Sequence, residues 1–422
     1  MLARTGSYDQ ISLTLLNANL HGPGLYRPIR RFITKNIQTT QASSQKHWAF
    51  CILAVKQKQV KLPLPVVGLI WLLLPFVVPA QPLAIRDTVE PGSLQKGLFE
   101  SQEVLYIKIS GNVTGVTNDR GEKSQYHALS FSYFNQNNAG VSMPVKIKTR
   151  GHFRKVKSNC SWPPLLLNFA KKDIPQASPF EGQDKLKLVM PCRGDEYVVK
   201  EWLLYRLYNL VTQKSFRSRL VKVTMDDVPK KKQSSFYGIL LEDDGQLAKR
   251  NKTVVVQRKM LNPLNTEPNA FLTMAVFQYM IGNTDWSVQF QQNVCLLAKD
   301  SLGIPSTVPY DFDHAGLVNA PYAKPAEELE MSSVTERRYR GYCIADMKAY
   351  EPVIGLFNRL KKDFYAVYTE CALLSEKQIK SATRYLDEFY STINNPKALK
   401  QAFGYPCDKS GTGNVIIKGL KK

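Results

Sequence analysis

The chain has no CxxC pair and no cysteine–histidine spacing that ligates zinc, which excludes a structural zinc module. It has no glycine-rich phosphate loop, so the nucleotide-binding classes that depend on one are set aside. No run of lysine or arginine is interleaved with aromatic residues, which argues against nucleic acid as a partner. Internal repeats and long low-complexity linkers are also missing, so neither a solenoid nor a string of tethered modules is expected. Acidic residues are few: 35 Asp and Glu stand against 57 Lys and Arg, for a net charge of +22. Residues 1–62 carry +8 of that total, and the remaining body is mildly basic, as suits anionic partners.

What is present is enough for a large core. The chain has 422 residues, 44% hydrophobic and 22% charged, which is ordinary globular composition and room for two lobes. Residues 1–61 show no sustained periodicity and read as a disordered or misannotated extension. Residues 62–84, LPLPVVGLIWLLLPFVVPAQPLA, follow a basic flank and contain a short apolar run over 66–78 that ends at Val78-Pro79-Ala80. Basic flank, short apolar core and small-residue exit make a signal peptide, with an uncleaved membrane anchor as the alternative. The body is therefore expected to be exported, with membrane contact only through 62–84.

Seven cysteines are present. Removing the front of the chain leaves six, an even number that fits disulfides, with Cys160 and Cys192 the preferred pair. Cys295 inside NVCLL reads as a small buried hydrophobe.

Residues 85–245 are β-rich. Alternation at Leu105, Ile107 and Ile109, at Val145 and Ile147, and in KLKLVM marks half-buried strands, with others over 127–134, 163–169, 219–225 and 235–241. One strong helix over 196–212 interrupts them and embeds Glu201 in an apolar face, where it needs a Lys or Arg partner. Residues 246–422 are mainly helical. The apolar helix over 271–281 stops at Gly282, a left-handed cap, and further stripes cover 351–374 and 376–393. The fold class that follows is α+β, with a β-rich lobe on an antiparallel sheet feeding a helical lobe.

The chemistry concentrates in 278–322. Asp285 lies just past a helix end, Asn293 opens an apolar run, and Asp311 and Asp313 follow a second one. Two carboxylates and an amide oxygen brought together by turns suit a hard cation such as Mg²⁺ and the phosphates it carries. Phosphoryl transfer needs a group to orient the attacking hydroxyl, for which Asp285 is the candidate, and metal ligands, for which Asn293, Asp311 and Asp313 are the candidates. Candidates for holding the nucleotide are Arg150, Lys171 and Lys187, with Glu201 and Glu242. Arg150 is preferred among the cations because a planar fork matches phosphate oxygens.

IGNTDWSVQFQQN with PYDFDHAG, preceded by RGHFR, KLKLV, EWLLYRLYN and FYGILLEDDGQLAKR, resembles the spore-coat CotH kinase family over roughly residues 100–320. The resemblance implies an atypical protein-kinase-like bilobal fold and a secreted enzyme that uses ATP and Mg²⁺, or Mn²⁺, to phosphorylate protein Ser or Thr. It places the catalytic aspartate on Asp285, the downstream asparagine on Asn293 and the metal-holding aspartate on Asp311. Asn293 follows Asp285 by eight residues where protein kinases use five, so the intervening loop must bulge. Leu166 stands where a basic residue is expected to reach phosphate. That departure and the missing glycine loop favour, as the alternative, a kinase-fold pseudoenzyme acting as an envelope or surface binding protein. A glycan hydrolase pairing Asp285 with Asp311 is the third reading, and it lacks an aromatic sugar platform.

Overall fold

A computed structural model describes residues 97–135 and 138–409, which lie within one compact unit, Thr88–Lys422. The expected extension at 1–61 and apolar segment at 62–84 lie outside the described residues. No helix among the described residues is long and apolar enough to cross a membrane.

Seven strands close into a barrel: β1 (Leu105–Gly111), β2 (His127–Phe134), β3 (Gly140–Thr149), β4 (Leu165–Asn168), β5 (Lys185–Val189), β6 (Ser218–Asp227) and β7 (Lys232–Leu241). The order around the barrel is β1-β2-β3-β4-β5-β7-β6. Every pairing is antiparallel except the closing one, where β1 runs parallel to β6 with Leu105 opposite Val221 and Gly111 opposite Asp227. The period-two alternation has its cause here. Ile107, Ile109, Phe131, Val145, Ile147, Leu165, Leu167, Leu186, Leu188, Val221 and Val223 share one buried core. Helix α1 (Val113–Asn118) adds Val113 and Val116 to the same core.

This barrel corrects the expected fold class. The chain is not a bilobal, protein-kinase-like α+β fold on an open antiparallel sheet; it is a closed seven-stranded barrel joined to a helical region. Alternation shows that one face of each strand is buried but not that the first strand returns to meet the sixth. The expected strands themselves are all found.

Helix α2 (Asp195–Val211) lies between β5 and β6 and is buried nearly all round. It shares a second core with α3 (Asp244–Arg250), α4 (Pro268–Ile281), α5 (Glu351–Arg359), α6 (Lys361–Thr369), α7 (Glu376–Ile393) and α8 (Pro396–Phe403). The stripe expected as one helix over 351–374 is two helices, α5 and α6, joined at Leu360. A small antiparallel sheet, ordered β10-β9-β8, is formed by β8 (Val254–Val255), β9 (Val294–Ala298) and β10 (Ser306–Pro309).

Helix α4 starts where Glu267 accepts hydrogen bonds from the Asn269 and Ala270 amides and Pro268 presets the first turn. It ends at Gly282, with φ 69°, as the sequence predicts. Disulfides join Cys160 to Cys192 and Cys343 to Cys407, while Cys295 and Cys371 are buried free thiols.

Phe131 anchors the barrel interior, fully buried with its ring 5.2 Å from Phe169 and 5.0 Å from Phe180, edge on in both cases. Phe131→Ala is expected to lower the unfolding free energy by about 3–5 kcal/mol, read from denaturant midpoints at unchanged slope. A loss of under about 1 kcal/mol would mean that the barrel interior is not packed as described.

Candidate active site

A loop of the barrel, helix α2 and the segment after β10 meet at Arg154. Strand β3 ends at Thr149, and the chain turns through RGHFRK into a short 3₁₀ turn, Phe153–Lys155. Arg120 grips this loop from outside, donating to the carbonyls of Cys160 (2.8 Å) and Ser161 (2.6 Å). The Cys160–Cys192 disulfide ties the same loop to the segment that leads into α2. The loop is therefore held at Cys160 and Ser161, and the disulfide ties it toward the helix that carries Glu201.

The Arg154 side chain is 8% exposed and touches three carboxylates. Its Nη2 lies 3.3 Å from both Glu201 oxygens and 2.8 Å from Asp311 Oδ1, and its Nε lies 3.0 Å from Asp313 Oδ2. The embedded glutamate thus has the cationic partner its apolar face demands, and that partner comes from the loop after β3. Tyr322 Oη donates to Asp313 at 3.1 Å, and the Asp311 amide donates to Tyr205 Oη at 2.9 Å. One guanidinium cannot neutralise three carboxylates, and their acidities divide accordingly. Burial pushes Glu201 up to about 8 against the pull of Arg154. Burial and the neighbouring Asp311 raise Asp313, although Arg154 opposes them. Asp311 is also pushed up by burial, but Arg154 and then Arg150 hold it below the usual carboxylate range.

Asp285 forms a second group beside the first. The turn Gly282-Asn283-Thr284-Asp285 is held by Asn283, whose Oδ1 accepts from the Asp285 amide at 3.0 Å. Asn293 Nδ2 donates to Asp285 Oδ2 at 3.0 Å and to the Asp285 carbonyl at 2.7 Å, and Gln292 donates to Asp285 Oδ1. The eight-residue spacing is absorbed by a closed loop in which Ser287 and Gln292 exchange backbone bonds of 3.0 and 2.9 Å. Burial raises the Asp285 carboxyl to about 6; His314 pulls the other way, while Asp313 and Asp311 add to the rise.

The two groups are joined through backbone. The Tyr310 amide donates to the Asn293 carbonyl at 3.0 Å, so Asn293 and Asp311 flank one hydrogen bond where β9 and β10 meet. Both residues take left-handed backbone, with φ 53° and 60°, a conformation that Asn and Asp tolerate best among residues with side chains. The Gly316 and Leu317 amides donate to the carbonyls of Gly282 and Ile281 at 3.0 Å, tying the loop after Asp313 to the loop before Asp285. Tyr385 of α7 wedges against both glycines, and a Cβ on Gly282 or on Gly316 would collide with its hydroxyl.

Asp285, Asn293, Asp311, Asp313 and Glu201 are therefore brought together. Arg150 lies close enough to bear on Asp311 and Tyr310 electrostatically. Lys187 stands over the Tyr310 ring, 5.4 Å from its centroid, but its ammonium is paired with Asp244. Two candidates are placed elsewhere. Lys171 is exposed on a 3₁₀ turn after β4. Glu242 is forked by Arg250 at 3.0 and 2.9 Å and accepts the Arg217 amide, a structural role at the start of α3. Sequence reasoning did not single out Arg154, Tyr205, Tyr322 or Tyr385. Only Arg154 had a signal, as the second arginine of RGHFR set against a glutamate in need of a partner. Among the described residues, no three His, Cys, Asp or Glu side chains form a group able to hold a metal by themselves.

Arg154→Met is expected to lower the unfolding free energy by about 3–5 kcal/mol, because it strands Glu201, Asp311 and Asp313 without their shared cation. Adding Glu201→Gln to it should recover part of that loss in a double-mutant cycle. Additive effects of the two changes would deny the coupling. Neither a scan against protein-family models nor a search of curated proteins finds a match to this chain, so the site is read from its own geometry.

Proposed function

We propose that this chain transfers a phosphoryl group from Mg-ATP to a serine or threonine hydroxyl of a protein acceptor, in the manner of the CotH family it resembles, and that it acts after export. The observation that carries the reading is the junction of two groups, Asp285 with Asn293 and Arg154 with Asp311 and Asp313, across the Tyr310–Asn293 backbone bond. The proposal does not depend on a kinase-like fold.

The residues fit a hard divalent cation of the Mg²⁺ or Mn²⁺ type. Of the three carboxylates around Arg154, Asp311 is the one held below the usual carboxylate range, so it keeps its negative charge at the edge of the cluster. The Asn293 amide nitrogen is engaged by Asp285, leaving the amide oxygen as that side chain's acceptor. Magnesium is commonly held by one or two carboxylates together with substrate phosphates, so a cage of three acidic residues is not required. Asp311 and Asn293 would hold the ion with Asp313 behind them, and the bound ion would offset charge on the transferring phosphate.

The rest is the work of this chain's own groups. Asp285, oriented by Asn293 and Gln292, accepts the proton of the acceptor hydroxyl, and a carboxyl near 6 is a better base than an ordinary aspartate. Arg150 offers its planar fork to phosphate oxygens beside Asp311. Glu201 holds Arg154 and does not reach for the nucleotide itself. Arg154 fixes the two aspartates of Asp-Phe-Asp in one arrangement before anything binds, and such preorganisation is where the catalytic advantage lies. The disulfides Cys160–Cys192 and Cys343–Cys407 support export, since such bonds persist in oxidising compartments.

A second reading, a surface binding protein without catalysis, is favoured by two observations. Lys187 is committed to Asp244, and Leu166 lies between Lys148 and Lys187 in the sheet register, so a phosphate would be met by fewer cations. The test separates the two. With the full chain, Mg²⁺ and labelled ATP, the expected outcome is transfer to the chain itself or to a mixed protein acceptor. Asp285→Ala and Asp311→Ala should each cut it by a factor on the order of 10²–10⁴ while leaving the fold intact by circular dichroism. Wild-type protein that neither binds Mg-ATP by calorimetry nor transfers phosphate ends the enzyme reading. Binding without transfer establishes the second.

A further inference from the structure

A cleft of about 670 Å³ lies on the helical region between α2, the loop after Asp313 and the first half of α7. No residue assigned above to transfer lines it. Its walls carry three cations, Lys200, Lys377 and Arg384, together with the apolar surfaces of Leu317 and Leu374.

One of its donors is a half-buried cation: Lys200 on α2, whose ammonium meets the Val318 carbonyl at 3.5 Å and stands over the Tyr197 ring, 5.1 Å from its centroid, with no carboxylate in salt-bridge range among the described residues. Burial pulls that ammonium below its usual range, against the pull of Glu196. The one carboxylate on the rim, Glu388, is paired with Arg337 at 3.1 Å and does not neutralise the cations. The N-terminus of α7, capped by Ser375, adds the positive end of an 18-residue helix to the same wall.

We propose that this cleft binds a small organic anion, with a phosphate or carboxylate head held by Lys200 and Arg384 and an apolar body against Leu317 and Leu374. The volume falls within the roughly 300–1,000 Å³ of small-molecule sites and is far below a macromolecular interface. The head group is set by charge and the body by the apolar wall. The cleft is separate from the proposed transfer site and does not depend on that reading.

The test is calorimetric titration of the full chain with phenyl phosphate, benzoate, inorganic phosphate and, as a neutral control, benzyl alcohol. One saturable site is expected for phenyl phosphate, weaker in inorganic phosphate and absent with benzyl alcohol. Benzoate binding at the same site would assign the head group as any anion, and its failure to bind would assign phosphate; either outcome supports the proposal. Lys200→Met should weaken binding by on the order of tenfold, the loss of one charged donor. Arg384→Gln, on an exposed side chain, should weaken it several-fold without touching the fold. Arg150→Ala should leave it unchanged, which separates this cleft from any phosphate bound beside Asp311. No saturable binding, equal binding of benzyl alcohol, or loss in Arg150→Ala with retention in Lys200→Met would overturn the proposal.

Discussion

The guanidinium of Arg154, shared by Glu201, Asp311 and Asp313, is the contact on which the arrangement of the site depends. It joins a loop of the barrel, a helix of the second core and the segment after β10. Each partner alone would be a polar group in an apolar place, and together they divide: burial moves Glu201 toward its neutral form while Arg154 keeps Asp311 ionised. Buried charge of this kind is weak evidence for stability, because desolvation can exceed the Coulombic gain. Its effect is on geometry, since three acidic groups held by one planar cation have few alternative arrangements.

Much of the surrounding structure serves to bring these groups to the same point. Arg120 and the Cys160–Cys192 disulfide fix the barrel loop, and Glu201 sits among the buried residues of α2, 1% exposed, with no room to turn away. On the other side, the small sheet sets Asn293 beside Tyr310, and the Gly282–Gly316 backbone bond holds the two aspartate loops in step. Left-handed backbone at both Asn293 and Asp311 is the kind of local strain that persists only where neighbours over-determine it. That pattern fits a preformed polar site better than a pair of ordinary turns.

The strands and the main helices were legible because burial imposes a period on the sequence. Leu105, Ile107 and Ile109 face inward for the same reason in an open sheet and in a barrel, and for that reason closure was not legible. The parallel contact of β1 with β6 joins residues more than a hundred positions apart, and no local pattern encodes it. Asp285, Asn293, Asp311 and Asp313 could be read because turn residues and acceptors cluster within a short stretch. Arg154 could not be placed, since a cation far upstream becomes a partner only when the barrel loop folds back on α2. Glu242 and Lys171 misled for the opposite reason: type and neighbourhood suit a nucleotide, but Arg250 takes the first and solvent takes the second. Cys160 and Cys192 were paired correctly from their positions alone.

The central claim is that the junction of Asn293 with Asp311 takes up a divalent cation together with nucleotide phosphate. Electron paramagnetic resonance of Mn²⁺, titrated into the full chain with a non-hydrolysable ATP analogue, tests it without relying on turnover. Saturable loss of the free-ion signal in wild type, abolished by Asp311→Asn and weakened by Asn293→Ala, is the predicted result. A free-ion signal in wild type that matches the protein-free solution, or uptake indifferent to both substitutions, would contradict it.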